Sequence, residues 1–159
     1  MRWNHVIGTG VLVLLGVIGL TACATMAPPP TLYERLRVAD PYGIGRNGRD
    51  AIALVVDGFV ANMVADGRVN ARFKDMKPPA VFKLKSSLAD QICDAAGGPC
   101  AYYGRDMKTT HKGMGITEAE WNATVENLVK ALDKNKVGAQ EKSELLGALG
   151  PMKGDIVGQ

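Results

Sequence analysis

The chain has 159 residues, of which 47% are hydrophobic and 22% charged, so it can form one domain with an apolar core and is not biased towards disorder. Its formal charge of +3 comes from Lys and Arg scattered among Asp and Glu, with only 6% aromatic residues to stack on bases. This balance argues against nucleic acid as a partner.

The N-terminal segment 1–22 differs in character from the rest of the chain. Arg2 gives it a positive charge, VIGTGVLVLLGVIGL makes an apolar run over 6–20, and LTAC ends in Cys23. This order resembles a bacterial lipoprotein signal peptide, which implies cleavage before Cys23, lipidation of that cysteine and a periplasmic location. Ala24 after the cysteine favours the outer membrane over the inner one. An uncleaved membrane anchor is the alternative, although a membrane-spanning helix needs about 20 apolar residues.

Three consecutive prolines mark the segment that follows Cys23 as a linker. The run APPPT cannot enter a helix and stiffens the chain into an extended spacer. We therefore expect a signal peptide at 1–22, a lipidated cysteine and proline-rich linker at 23–30, and one folded domain at 31–159. Cleavage would remove His5, which leaves His111 as the single histidine of the mature protein.

The folded domain shows helical spacing of its apolar residues and no convincing run of alternating ones. Thr117 and Glu120 match a capping box at the start of a helix. The predicted elements are one or two helical turns at 31–36, longer helices over about 47–66, 79–96, 117–137 and 139–150, and a brief helix at 106–112. The sequence therefore predicts an all-α domain whose helices are joined by glycine-rich turns.

Two cysteines, Cys93 and Cys100, remain beside the lipidated one. Their spacing allows a disulfide across a flexible link in an oxidising compartment, and two free thiols are the alternative. The spacing alone does not form a metal motif, because the other ligands of a closed zinc site are not evident.

His111 lies on a short polar helix between glycines, and its isolation limits its chemistry. No residue marks a nucleophile for a serine or cysteine mechanism, and one histidine cannot build a multi-histidine metal centre. One histidine is enough to give an axial bond to an iron whose other four ligands belong to a porphyrin. A solvated surface histidine is the alternative.

A haem also needs an apolar slot and charged groups at its rim. Met107 and His111 are four residues apart, so they share one face of a helix. Lys83 and Lys85 are candidates to reach the propionates from the second long helix.

Four ordered motifs then carry a resemblance. DGFVANMVAD, ARF, QICDAAGGP and YxGRDMKxxHxGMGIT resemble the group I truncated haemoglobins, over about residues 32–157. The family has a two-over-two helical sandwich around haem b. The resemblance implies that His111 is the proximal iron ligand, that Phe73 wedges the porphyrin and that Trp121 packs on the proximal side, although ordinary core packing would also explain the two aromatic residues. The full set expected at the cofactor is Phe73, Lys83, Leu84, Leu88, Tyr102, Met107, Met114, Ile116 and Trp121.

The chain departs from the family where a ligand would bind. Many members have a tyrosine and glutamines there, whereas the aligned residues are Val60, Leu84 and Leu88, and none can donate a hydrogen bond. A hydrogen bond to a charged group contributes roughly 1.5 to 3 kcal/mol, so its loss would weaken oxygen retention by about 10- to 100-fold. Gln91, a tyrosine or water could compensate. Ser87 occupies the position of an internal sixth ligand in some members, so none is expected.

A second departure lies at the start of the domain. RVADPYGIGRNG replaces and lengthens the family's usual glycine pair, which makes the start of the first long helix hard to place.

These features predict a lipid-anchored haem protein that binds oxygen, nitric oxide or carbon monoxide reversibly. Oxygen carriage, nitric oxide oxidation and a peroxidase role are uses of the same iron, and each redox use needs an unidentified reductase. The alternative is a haem-free helical lipoprotein of the periplasm that acts as an interaction or scaffold module.

Overall fold

The structure is a computed structural model that describes residues 28–38 and 46–159. The expected signal peptide and Cys23 lie outside these ranges. Within them, no helix is both long enough and apolar enough to span a membrane.

The elements form a nearly all-helical chain. The first helix is α1 (Leu32–Arg35), and β1 (Arg37–Val38) pairs antiparallel with β2 (Arg46–Asn47). The longer helices are α2 (Gly48–Ala65), α3 (Pro78–Ala95), α5 (Glu118–Lys134) and α6 (Ala139–Leu149), and α4 (Met107–His111) is short. Two 3₁₀ helices occupy Asn70–Arg72 and Gly150–Asp155. The all-α prediction is confirmed.

Local sequence explains where most helices begin. Pro78 opens α3, where its missing N–H costs no hydrogen bond. The predicted capping box of α5 is present, because Thr117 accepts from the Glu120 amide and the Glu120 carboxylate accepts from the Thr117 amide. Thr31 and Glu34 form the same arrangement at α1. Each box satisfies amides that a helix start leaves free.

Helix α2 is the centre of the core and packs against both α3 and α5. Its buried stripe follows the predicted spacing and consists of Ala51, Ile52, Val55, Val56, Phe59, Val60 and Met63. The partner faces bury Ile92 and Cys93 from α3 and Leu128 and Leu132 from α5. Buried apolar area of this kind is the main stabilising contribution to such a fold.

The N-terminal helix α1 is fixed to the domain by its own side chains. Tyr33 packs over Gly48 and Gly98, and a β-carbon added at Gly48 would lie 2.7 Å from the Tyr33 hydroxyl. Arg35 pairs with Glu141 at 3.3 Å and also with Glu144 on α6. This contact places the end of the linker next to α6.

Cys93 and Cys100 form a disulfide with a Cα separation of 5.8 Å. Cys93 is fully buried near the end of α3, and Cys100 lies in the loop that leads to α4. The covalent link therefore joins α3 to the loop that precedes the His111 helix.

Two details differ from the expected elements. The first is a short β pair, which forms where only a glycine-punctuated loop was expected before α2, whereas α2 itself starts at Gly48, close to the expected 47. The chain also continues past Leu149 as a 3₁₀ helix, whereas Gly150 and Pro151 were expected to end helical structure. Pro151 is compatible with a 3₁₀ turn because it occupies one of the first positions, where no amide donor is needed.

Candidate functional site

A cavity of about 650 Å³ lies between α2, α3, α4, α5 and the C-terminal 3₁₀ helix. Apolar side chains make up most of its wall, including Phe59, Val60, Leu128, Leu149 and Ile156. Its size falls in the range of about 300 to 1,000 Å³ that is usual for cofactor and ligand sites.

His111 ends α4 and contributes to this wall. Its Nδ1 lies 2.8 Å from the backbone oxygen of Met107, one turn earlier. A carbonyl oxygen only accepts, so Nδ1 carries a proton and donates it, and in the neutral ring Nε2 then holds the free lone pair. The ring is thus fixed in the tautomer that suits a metal ligand.

The start of the His111 helix is capped by Asp106. The Asp106 carboxylate accepts from the Thr109 amide at 2.8 Å. That hydrogen bond is the main reason why the pKa of Asp106 lies below its ordinary value. The charged cap satisfies an amide that the short helix leaves free.

The loop after His111 is also held in place. The Met114 amide donates to the His111 backbone oxygen at 3.0 Å, and the Gly115 amide donates to the backbone oxygen of Gln159 at 2.7 Å. Gly113 and Gly115 have φ values of 79° and 58°, which glycine adopts without steric cost. The C-terminal residues therefore close one side of the His111 loop.

Val60, Leu84 and Leu88 all contribute to the wall of this cavity. Their side chains offer no hydrogen-bond donor. Gln91, the polar candidate on α3, also contributes to the wall, but its Nε2 lies 3.3 Å from the Met107 sulfur and 3.5 Å from the Met152 sulfur. This amide group is engaged with thioether sulfur atoms.

Most of the predicted cofactor residues line the cavity, and two do not. The wall includes Phe73, Leu84, Leu88, Met107, Met114, Ile116 and Trp121. The two outside the wall are Lys83, which is exposed on α3, and Tyr102. Ser87, the position of an internal sixth ligand in some family members, also lies outside the wall. Tyr102 differs from expectation because its hydroxyl donates to the Arg105 backbone oxygen at 3.0 Å, which holds the ring against its own loop. Lys85 pairs with Asp57 at 2.9 Å.

Several wall residues were not anticipated from the sequence. The C-terminal segment adds Met152, Lys153 and Ile156, and the four-residue spacing of Met152 and Ile156 is a local signal that could have marked two of them. Arg72 and Glu120 add charge to the wall and bind each other at 2.9 Å. No local pattern reveals this pair, because its members are 48 residues apart.

The Glu120 carboxylate is stabilised in its charged form. The Thr117 amide donates to it at 2.8 Å, and the Arg72 guanidinium donates to its other oxygen. These two groups, the amide first, hold the pKa of Glu120 below its ordinary value.

Comparisons with known proteins all find similarity to globins. A family model described as "Bacterial-like globin" matches residues 43–157. Group 1 truncated hemoglobin GlbN of Mycolicibacterium paratuberculosis is 29% identical over 130 residues, which cover 82% of this chain and 86% of that protein. The group 1 truncated hemoglobin of Tetrahymena thermophila is 27% identical over 134 residues, which cover 84% of this chain and all of that one.

Solved structures agree with the sequence matches. The Fe(III) form of truncated hemoglobin from Tetrahymena pyriformis superposes with a TM-score of 0.70 at 27% identity, covering 82% of this chain and 100% of that one. The 2/2 hemoglobin of Synechococcus sp. PCC 7002, in the cyanomet state with covalently attached heme, gives a TM-score of 0.68 at 27% identity, with coverage of 82% and 100%.

Proposed function

The chain belongs to the bacterial-like globin family as a group 1 truncated haemoglobin, and on that premise we propose that it holds haem b through His111 and binds a diatomic gas. The ligands in question are oxygen, nitric oxide and carbon monoxide. The observation that carries the proposal is the position of His111, in the wall of a large apolar cavity with its Nδ1 tied to the Met107 oxygen.

The residues of the cavity fit a haem group. An apolar wall of this size suits a macrocycle whose faces are apolar. His111 would supply the protein ligand through Nε2, since Nδ1 is engaged. Phe73 and Trp121 offer aromatic surfaces for packing against the ring. Lys83, although outside the wall, is an exposed cation on α3 that would pair with the propionates.

When bound, haem iron would supply a coordination position for a small gas. The chain's own residues would set the selectivity of that position. Val60, Leu84 and Leu88 are apolar and donate no hydrogen bond. We therefore expect poor retention of oxygen, whose binding depends on a donor more than that of nitric oxide or carbon monoxide.

The apolar wall favours a use in nitric oxide chemistry over oxygen storage. Nitric oxide detoxification would use dioxygen to oxidise nitric oxide to nitrate at ferrous haem, and an outside electron donor would return the resulting ferric iron to the ferrous state. A peroxidase role would take peroxide as the oxidant and also needs an outside electron donor. We propose that an unidentified reductase is this donor. Oxygen carriage remains the generic alternative use of the same site.

The test of haem binding is spectroscopic. The purified protein, loaded with haem, is expected to show a Soret band that His111→Ala abolishes or strongly weakens. Lys108→Ala is the matched control, since Lys108 lies exposed on the same helix α4 and should leave the band unchanged. A wild-type protein that takes up no haem would instead favour a haem-free helical module for interaction or scaffolding.

We propose a periplasmic location with a lipid anchor at Cys23, on the outer membrane in preference to the inner one. The sequence order of positive charge, apolar run and cysteine supports this. Mass spectrometry of the N-terminal peptide should find a lipidated Cys23, and Cys23→Ala should release the protein from membranes. An unmodified N-terminus at Met1 would contradict the proposal.

A further inference from the structure

Arg72 links two parts of the cavity wall that are distant in sequence. It ends the 3₁₀ helix just before Phe73. Its Nε lies 2.9 Å from the Glu120 carboxylate on α5, and its Nη1 lies 2.8 Å from the backbone oxygen of Met114. The guanidinium fork therefore holds a helix start and a loop at the same time.

The loop contact leads directly to His111. Met114, whose oxygen accepts from Arg72, donates its own amide to the His111 backbone oxygen at 3.0 Å. Two consecutive hydrogen bonds thus connect the guanidinium with the end of α4. Because Gly113 and Gly115 flank Met114 in positive-φ conformations, the loop has little steric restriction of its own.

The anchor of Arg72 is itself rigid. One Glu120 oxygen binds Arg72, and the other accepts from the Thr117 amide at 2.8 Å and the Thr117 hydroxyl at 2.9 Å. The Glu120 side chain is 18% exposed and that of Arg72 33%, so the pair is partly shielded from water. A partly shielded pair stabilises more than a fully exposed one.

We infer that Arg72 is a positioning residue for His111, which fixes the loop after α4 and thereby the histidine that holds the cofactor. The inference rests on the proposed function of His111. It adds a residue from the 70–72 turn to the support of the proximal ligand, alongside the Met107 oxygen that orients the ring.

Arg68, four residues before Arg72 in the chain, provides a matched control. It pairs with Asp66 and Glu126, each at 2.8 Å, and it lies outside the cavity wall. Arg68→Ala therefore removes a comparable cation and its ion pairs without touching the His111 loop.

The experiment measures two properties of the haem-loaded protein. These are the rate of haem transfer to excess apomyoglobin and the iron–histidine stretching frequency of the ferrous state by resonance Raman. For Arg72→Ala we expect haem loss about five- to tenfold faster and a shifted or broadened stretching band. Arg72→Lys keeps the charge but loses the fork, so it should be intermediate, and Arg68→Ala should match the wild type.

The inference would be overturned if Arg72→Ala lost haem at a rate within twofold of the wild type and kept an unchanged iron–histidine stretching band. Equal effects of Arg72→Ala and Arg68→Ala on these two properties would also overturn it. If Arg72→Ala does not fold, a wild-type haem-loss rate and band in Arg72→Lys would overturn it instead. Hydrogen exchange of the amides over 112–117, measured in the protein as purified, tests the role of Arg72 independently of haem binding. Faster exchange in Arg72→Ala supports the proposed fixing of the loop after α4 by Arg72 even if no haem binds, and unchanged exchange contradicts it.

Discussion

At the scale of single residues, the proposed function assigns gas retention to three apolar side chains that share the cavity wall with His111. Val60, Leu84 and Leu88 form a wall without donors, and the amide of Gln91 is turned to the sulfur atoms of Met107 and Met152. The proposed gas selectivity therefore rests on the lack of a hydrogen-bond donor on these three wall side chains.

Leu84→Gln tests this selectivity. A new amide donor near the ligand should slow oxygen dissociation by about 10- to 100-fold and change carbon monoxide dissociation much less. Stopped-flow ligand replacement measures both rates. Leu84→Met, which is apolar and of similar volume, should resemble the wild type. Oxygen dissociation from the wild type that is already as slow as from Leu84→Gln would refute the account.

A second residue-scale prediction concerns two glycines with opposite surroundings. Gly48 has a φ of 56° and packs under Tyr33, whereas Gly147 lies in α6 with no atom within 4 Å of an added β-carbon. Gly48→Ala should lower the free energy of unfolding by about 1 to 3 kcal/mol. Gly147→Ala should raise it by roughly 0.5 to 1 kcal/mol. Chemical denaturation checks both signs, and equal effects would show that the packing of α1 is not as described.

At the scale of elements, the short helix α4 depends on its neighbours. It has five residues, too few to be stable alone, and receives support from the Asp106 cap, the loop at Met114 and the C-terminal residues. The disulfide adds a link from α3 to the preceding loop. The Met107 oxygen within α4 orients the histidine ring, and contacts from the neighbouring segments hold the short helix in place.

The capping box of α5 gives a pH-dependent prediction. The folded-state pKa of Glu120 is lower than its ordinary value of 4.5, so its contribution to stability is present above about pH 4.5 and is lost as the pH falls through the folded pKa. Glu120→Gln should destabilise the protein by about 1 kcal/mol at pH 7, and by less at pH 4. Urea unfolding at the two pH values measures this.

Glu126→Gln is the control for that experiment. Glu126 is exposed and pairs with Arg68 at the surface, so its replacement should cost little at either pH. A destabilisation by Glu120→Gln that does not change between pH 7 and pH 4 would contradict the role of its charge.

At the scale of the molecule, the sequence predicted the helices and the site residues that local patterns and the family resemblance indicate. The spacing of Val55, Val56 and Phe59 predicted α2, and Thr117 with Glu120 predicted the start of α5, because these signals lie within a few residues of one another. Most of the positions that the resemblance marked line one cavity, and Tyr102 does not.

Most of the features that the sequence did not predict depend on contacts between distant segments. Arg72 meets Glu120 across 48 residues. Tyr102 is a separate case, because a hydrogen bond to the Arg105 oxygen within its own loop sets its position. The 3₁₀ helix after Leu149 forms a wall of the cavity only because the chain folds back onto α4. Such contacts have no periodic signature, so propensity and spacing do not reveal them.

The central claim is that His111 holds the haem iron. The most direct test is a His111→Gly variant, loaded with haem and titrated with imidazole. We predict that the variant has a weakened and shifted Soret band, and that added imidazole restores the wild-type ferrous spectrum by taking the place of the missing side chain. A wild-type spectrum in the variant without imidazole would contradict the claim.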